Sequence, residues 1–470
     1  MNFWDFEAWG TINLMAILLI SLLISNAIKK NIPFVRKTLI PTPVIGGLIL
    51  LALSTIYEAF AGVPFFNTGI FNDNGLSSLE IITYHCLALG FIAQTLKRTD
   101  KKMTGKRATE VFDTGVTTVS TYLLQGVLGL GITLAVAATV MPDLFPASGI
   151  LLPFGYGQGS GQALNYGNLY EQDYGFVGGR NFGLTIAALG FLSASIGGVI
   201  HLNIMRKKGM IVIGDGEMIG EPIESIEGKI EIPMNGTIDK LTVQIAFIGG
   251  VYTLSYLVMY GLGELLPGMK ATIYGFNFLF GVLMAMLCRQ VMNLLRRNGI
   301  VKKRYTNNFL LTHISNFFFD VMIVAGIAAI RLEALAQYWW LLLLLGVVGL
   351  VSTYLYNYYI AKKLFAEYKD VQFLAMYGML TGTASTGVML MRELDPDYKT
   401  PVADNLIYQN LPAIAFGFPM MLLATLAPKE PVVTLLILIA FFIVMNVILF
   451  RRQIFGKLLK KQADSGKDAE

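Results

Sequence analysis

Gly155-Tyr156-Gly157-Gln158-Gly159-Ser160-Gly161 and Thr381-Gly382-Thr383-Ala384-Ser385-Thr386-Gly387 interrupt otherwise apolar stretches about half a chain apart. Inside a bilayer, backbone can leave a helix only where protein or a water-lined cavity satisfies its freed N–H and C=O groups. A matched pair of such breaks, one in each half of a polytopic chain, points to a binding site near the membrane midplane.

Composition agrees with a membrane setting. Of 470 residues, 54% are hydrophobic and only 14% charged, against about a quarter charged in a soluble domain. Apolar runs of about 20 residues, the length that crosses the hydrocarbon core, recur from end to end. The predicted spans are 11–28, 40–61, 77–96, 113–141 and 177–204, then 241–264, 271–293, 309–330, 338–361, 402–427 and 430–450. That is an all-α polytopic membrane protein of about 11 crossings, with broken segments at 149–168 and 372–392. The run 14–24 follows Asp5 and Glu7 rather than a basic region, so it reads as a first transmembrane helix and not a signal peptide. Cys86 and Cys288 both fall in hydrophobic segments and imply no disulfide framework. Three histidines without a Cys/His cluster argue against a metal site.

Basic residues orient the spans. With the N-terminus outside, Lys29, Lys30, Arg36 and Lys37 fall inside, as do those between 97 and 107. Residues 206–208, the basic residues of 296–304, Lys362, Lys363 and the basic tail of 451–467 fall on the same side. Of 36 basic residues, only Arg180, Lys270, Arg331 and Lys429 fall outside, as expected when positive charge resists translocation. The C-terminus is then inside, and each broken segment must enter and leave on one side, as a re-entrant hairpin does. The net charge of +5 follows from this bias and calls for no nucleic-acid partner.

The two halves repeat one another. Gly159 and Gly382 stand about 223 residues apart, close to the offset between the first and sixth helices. Each half therefore holds five crossings with a hairpin between the fourth and fifth. Five is odd, so the second repeat starts on the opposite side and is inverted. The expected organisation is a first five-helix repeat over 1–205, a cytoplasmic linker over 206–240 and a second inverted repeat over 241–428. An extra transmembrane helix with a basic cytoplasmic tail follows over 429–470.

One further motif, Ile40-Pro41-Thr42-Pro43-Val44-Ile45-Gly46-Gly47, opens the second helix. With it and the two breaks, the chain resembles the sodium/glutamate symporter family, whose pattern Ile-Pro-x-Pro-Val-x-Gly-Gly it follows throughout. The family's first hairpin, Gly-Gly-His-Gly-Thr-Gly, is similar to Tyr156-Gly157-Gln158-Gly159-Ser160-Gly161, with Gln158 in place of the His. Its second, Gly-Ala-Thr-Pro-Thr-Ala, is similar to Gly382-Thr383-Ala384-Ser385-Thr386-Gly387, sharing the glycine and Thr386. Tyr174-Gly175-Phe176 and Gly197-Gly198 also fit, and the similarity covers roughly residues 10–425. Where the family carries an acidic residue near the start of the fifth helix, Asn181 stands beside Arg180. The resemblance implies a Na⁺-coupled importer of an anionic amino acid, a homodimer in the cell (inner) membrane, and elevator-like movement of a hairpin-bearing domain.

A broken helix leaves unpaired N–H groups at one end, suited to a carboxylate, and unpaired C=O groups at the other, suited to a cation. The expected substrate-binding residues are Gly157, Gln158, Gly159, Ser160, Gly161, Arg180, Asn181, Thr381, Gly382, Thr383, Ser385 and Thr386. Glycines let backbone approach a small ligand, and the hydroxyls add neutral oxygens of the kind that accept Na⁺. The bland alternative for both breaks is close helix packing through small residues. Arg180 and Arg392 can clamp a carboxylate bidentately, or simply snorkel to the interface. The expected cation ligands are Ser160, Asn316, Asp320, Thr383 and Thr386. Asp320 lies mid-span, where a carboxylate costs several kcal/mol unless it is paired, ion-bound or protonated. Asn316 is one turn away on the same face. A structural basic partner is the competing reading for Asp320. Gln125 and Asn277 are lesser polar candidates, while His85, His201 and His313 read as structural.

These features point to secondary active uptake of a small anionic solute, and the resemblance implies Na⁺-coupled symport of glutamate, with no cofactor beyond Na⁺ as coupling ion. H⁺ coupling or a dicarboxylate cargo on the same fold is the nearest alternative. Gly155-Tyr156-Gly157 invites comparison with a K⁺-channel filter, but a second, unlike break has no place in a fourfold pore. A membrane-embedded enzyme would need paired catalytic groups, which are missing, and no Walker motif supports an ATP-driven pump.

Overall fold

The computed structural model describes residues 4–37, 40–97, 105–208, 238–267, 270–275, 277–301, 303–332, 336–395 and 399–454. Helices α1 (Phe6–Asn31), α2 (Pro33–Lys37), α3 (Thr42–Ala61) and α4 (Gly75–Leu96) come first, followed by the 35-residue α5 (Gly105–Thr139). The first interrupted stretch forms α6 (Leu151–Gly157) and α7 (Ser160–Tyr174), ahead of α8 (Gly179–Lys207). Next are α9 (Lys240–Leu265), α10 (Lys270–Gly275), α11 (Asn277–Arg297), α12 (Asn308–Ala328) and α13 (Trp339–Leu364). The second interrupted stretch forms α14 (Lys369–Thr381) and α15 (Ala384–Arg392), and the last helices are α16 (Val402–Tyr408), α17 (Asn410–Leu426) and α18 (Pro431–Leu449).

Among the described residues, ten helices are long and apolar enough to cross a membrane: α1, α3, α4, α5, α8, α9, α11, α12, α13 and α18. The chain is a multi-pass membrane protein. The predicted span 271–293 falls across α10 and α11. The predicted span 402–427 needs correction, because it is two helices, α16 of 7 residues and α17 of 17. Pro412 lacks the N–H that would continue a helix across this point, so a new helix starts with the proline in its first turn. Of the predicted linker 206–240, residues 209–237 lie outside the described residues, as does the tail from 455 onward.

One compact unit comprises residues 1–102, 160–184 and 205–336. Within it α12 lies against α1, α3, α4 and α7. Small residues bring these helices close. A Cβ on Gly90 of α4 would stand 2.6 Å from the Phe319 ring, and one on Gly47 of α3 would stand 2.6 Å from Ile327. Ser315 adds a hydrogen bond from its Oγ to Gly90 O at 3.0 Å. The Pro-Thr-Pro-Val-Ile-Gly-Gly motif thus serves packing: its prolines sit at the start of α3, where a missing N–H costs nothing, and Gly46 faces Ser21 and Ser25 of α1. Ile92, Leu96, Ile248, Val251 and Leu311 form part of the apolar core.

The second unit comprises residues 103–159, 185–204 and 337–470. Within it α5 lies against α6, α13, α17 and α18. Its core includes Ala375, Met376, Leu380, Met391, Val402 and Leu406. Two polar contacts hold α18: Tyr356 donates to Asn446 Oδ1 at 2.8 Å, and Arg451 Nη1 to Asp113 Oδ1 at 2.7 Å.

Candidate functional site

The first break ends α6 at Gly157, whose carbonyl accepts a hydrogen bond from Tyr122 Oη at 3.0 Å. Gln158 caps α6, and Gly159 has φ of +85°, a conformation that costs a residue with a Cβ about 1–2 kcal/mol. That single dihedral turns the chain into α7. In the unit that holds α7, Ser160 and Gly161 are buried, Gly161 lying on Leu87 of α4. A Cβ on Gly326 of α12 would come within 3.0 Å of Ser160, so the two helices touch there. Ser160 Oγ is buried and has no hydrogen-bond partner among the described residues.

The second break ends α14 at Thr381, whose hydroxyl turns back to Tyr377 O at 2.6 Å. Gly382 follows with φ of −141°, so its glycine answers to space rather than handedness, since a Cβ there would stand 3.0 Å from Thr386 Oγ1 and 3.1 Å from the Phe191 ring. Thr383 caps α15, its hydroxyl 3.5 Å from Thr386 N and 3.3 Å from Thr386 Oγ1. The arms of this hairpin-like pair meet through glycine, since a Cβ on Gly378 would lie 2.9 Å from Gly387 Cα. Ser385 belongs to α15, and its side chain lies outside the described residues. Gln125 of α5 is fully buried and donates from Nε2 to Leu380 O at 2.9 Å and to Thr353 Oγ1 at 2.8 Å. It therefore answers one of the carbonyls that the end of α14 leaves without a helical donor.

The end of α14 and the last turn of α6 both reach one stretch of α8 within this unit. A Cβ on Gly190 would stand 2.5 Å from Thr381 O and 3.3 Å from Tyr156 Cα, so the last turns of α14 and α6 meet across that glycine. Two tyrosines lock the arrangement at Ser193. Tyr156 Oη donates to Gly346 O at 2.7 Å and shares a hydrogen bond with Ser193 Oγ at 2.9 Å, while Tyr377 Oη donates to Ser193 O at 2.7 Å. The C-terminal end of each helix carries partial negative charge, which suits a cation.

Arg180, Asn181, Asn316 and Asp320 belong to the unit that holds α7 and α12. Arg180 is held by two acids: its Nη1 donates to Glu80 Oε2 at 2.7 Å and its Nη2 to Glu171 Oε1 at 2.9 Å. Its backbone N–H, one of the orphan donors opening α8, is satisfied by Glu171 Oε2 at 3.1 Å. Asn181 Oδ1 accepts from Arg331 N at 2.8 Å, just past the end of α12. Asp320 is half-buried on α12 and has no hydrogen-bond or ion-pair partner among the described residues, while Asn316 one turn before it is exposed. Ser160, at Gly326, is about 9 Å along the α12 axis from Asp320. Arg392 ends α15 and is half-buried.

The sodium/glutamate symporter family model matches residues 6–399, well over half of the chain. The chain belongs to the sodium/glutamate symporter family. Compared with curated proteins, it has no significant match. A member of this symporter family is a transporter, not an enzyme. The family match takes in both breaks, Asp320 and Arg180, and stops ahead of α16, α17 and α18. The sequence of this family member shows the broken segments, Tyr156 among their residues, but not the residues that hold them, namely Tyr122, Gly190, Ser193 and Tyr377. Nothing local marks these positions, since a tyrosine or small residue on an apolar helix reads as ordinary packing. Gln125 carried a usable signal, being an amide inside an apolar span.

Proposed function

We propose that this symporter carries glutamate, or a similar small anionic solute, across the cell (inner) membrane together with Na⁺. The meeting of two broken helices on α8 at Gly190 is the observation that supports this most, within a chain of symporter descent. The cation docks among the C-terminal carbonyls of α6 and α14, with the Thr383 and Thr386 hydroxyls nearby, and Asp320 with Asn316 offers a second cation ligand set. The substrate carboxylate docks against the N–H groups that open α15 and those of the 157–161 turn, because helix N-termini carry partial positive charge. Asn181 and Arg180 are also proposed as substrate residues, Arg180 reaching a carboxylate by giving up Glu80 or Glu171. In this reading the two interruptions are re-entrant hairpins of inverted five-helix repeats, 1–205 and 241–428, with the linker 206–240 cytoplasmic. The N-terminus is outside, the C-terminus inside, and the working form is a homodimer. Alternating access follows from an elevator-like movement.

Uptake of labelled glutamate into proteoliposomes, with and without an imposed Na⁺ gradient, tests this. Concentrative uptake that collapses without Na⁺ is the expected result. Uptake indifferent to Na⁺ but driven by a proton gradient, or restricted to dicarboxylates, would replace the ion or the cargo. Flux that needs no gradient would overturn the transporter mechanism.

A further inference from the structure

A basic cavity lies within the unit containing α9, α11 and α12, lined by the end of α11 and the turn that leads into α12. It has a volume of about 50 Å³, more than one water needs, and Arg289, Arg296, Lys303 and Arg304 line it with no acidic residue among the described lining. Arg289 is fixed there, its Nη1 donating to Thr95 O at 3.3 Å and Lys97 O at 3.2 Å beyond the end of α4. The side chains of Arg296 and Lys303 have no hydrogen-bond or ion-pair partner among the described residues. The turn bearing Lys303 and Arg304 is tied to α9, because Gln244 Nε2 donates to Tyr305 O at 2.7 Å and Gln244 Oε1 accepts from Asn307 N at 3.0 Å. The cavity wall is therefore built, not a chance gathering of surface chains.

An open apolar groove of about 430 Å³ adjoins it, lined by Val243, Ala246, Phe247, Met292 and Val301. Phe247, Met292, Val301 and Tyr305 belong to both, so the charged cavity and the groove are continuous. Ile238 and Ile300 beside them are 53% and 69% exposed, an apolar surface that hydrocarbon covers at low cost. We propose that this continuous pair is a binding site for an anionic phospholipid, the phosphate against Arg289, Arg296, Lys303 and Arg304 and an acyl chain along the groove between α9 and α11. Charge complementarity selects the occupant: a soluble anion would use only the cavity, and a zwitterionic lipid would bring its own cation into a lining that has four. The helix ends concerned are those the basic-residue bias puts inside, where bilayers carry anionic lipid and basic pockets between helices recognise headgroups.

Native mass spectrometry of the purified full-length chain with phosphatidylglycerol or phosphatidylcholine tests the assignment. Each cation near an anionic surface contributes about fivefold in affinity, so Arg296→Gln with Lys303→Gln is expected to weaken phosphatidylglycerol binding about 30-fold. The matched pair Lys362→Gln with Lys363→Gln, in the other unit, is expected to leave it unchanged. Melting of both variants in lipid-free detergent checks that they fold. Equal retention of phosphatidylglycerol and phosphatidylcholine, equal losses in the two double variants, or displacement of the lipid by inorganic phosphate at the same concentration would each overturn the proposal.

Discussion

Asp320 and Arg180 show how differently two charges in one apolar chain can be managed. Arg180 has both faces of its guanidinium engaged, by Glu80 and Glu171, and Glu80 is itself 8% exposed. Removing one member of such a pair strands a buried charge, which is why the cluster holds the start of α8 in place. Asp320 has no such neighbour among the described residues, although the stretch around it reads Phe317-Phe318-Phe319-Asp320-Val321-Met322. An unpaired intramembrane carboxylate is tolerated when an ion or proton neutralises it. Replacing Asp320→Asn is therefore expected to raise the Na⁺ concentration for half-maximal uptake by about tenfold, the equivalent of roughly 1.4 kcal/mol. A sodium titration of uptake reads this directly, and an unaltered curve would remove Asp320 from the cation site.

At the scale of elements, the breaks are not loose loops but helix ends with assigned partners. Gly157 O is met by Tyr122, Leu380 O by Gln125, and the bodies of α6 and α14 are fastened to α8 through Ser193. The glycines at the breaks do unlike things. Gly159 supplies a left-handed dihedral, whereas Gly382 and Gly387 supply room for a neighbouring helix. Gln125→Leu removes the donor from Leu380 O and from Thr353 Oγ1, leaving buried acceptors at about 1–3 kcal/mol each. A lower melting temperature together with a changed Na⁺ affinity is expected, because Leu380 O belongs to the carbonyl end proposed for the cation. Thr353→Val breaks only the hydroxyl contact and should lower stability alone. If the two variants behave alike in a sodium titration, the carbonyl end of α14 does not face the ion.

Across the whole molecule, each compact unit gathers helices from both halves of the chain, so sequence neighbours part company at 102 and 103, 159 and 160, 184 and 185, 204 and 205, and 336 and 337. Orientation in the bilayer is testable at this scale. In a Cys288→Ser background, with Cys86 buried, a membrane-impermeant maleimide is expected to label Asn74→Cys on intact cells. Lys106→Cys, whose native side chain is 69% exposed, should react only after permeabilisation. The opposite pattern would invert the topology and with it the side each hairpin enters from.

Class, spans and breaks were legible in the amino-acid order because they rest on local quantities: hydropathy over about 20 residues, charge bias between loops, and glycine and hydroxyl clusters that cannot continue a helix. One span failed for a reason equally local, Pro412, which apolar content had outweighed. What only the tertiary structure decided are pairings between distant residues: Gln125 with Leu380, Tyr156 and Tyr377 with Ser193, Arg180 with Glu80. Hydrogen bonds and ion pairs depend on ångström-scale approach, and which of many similar tyrosines, amides and acids achieve it is set by how the helices fold against one another.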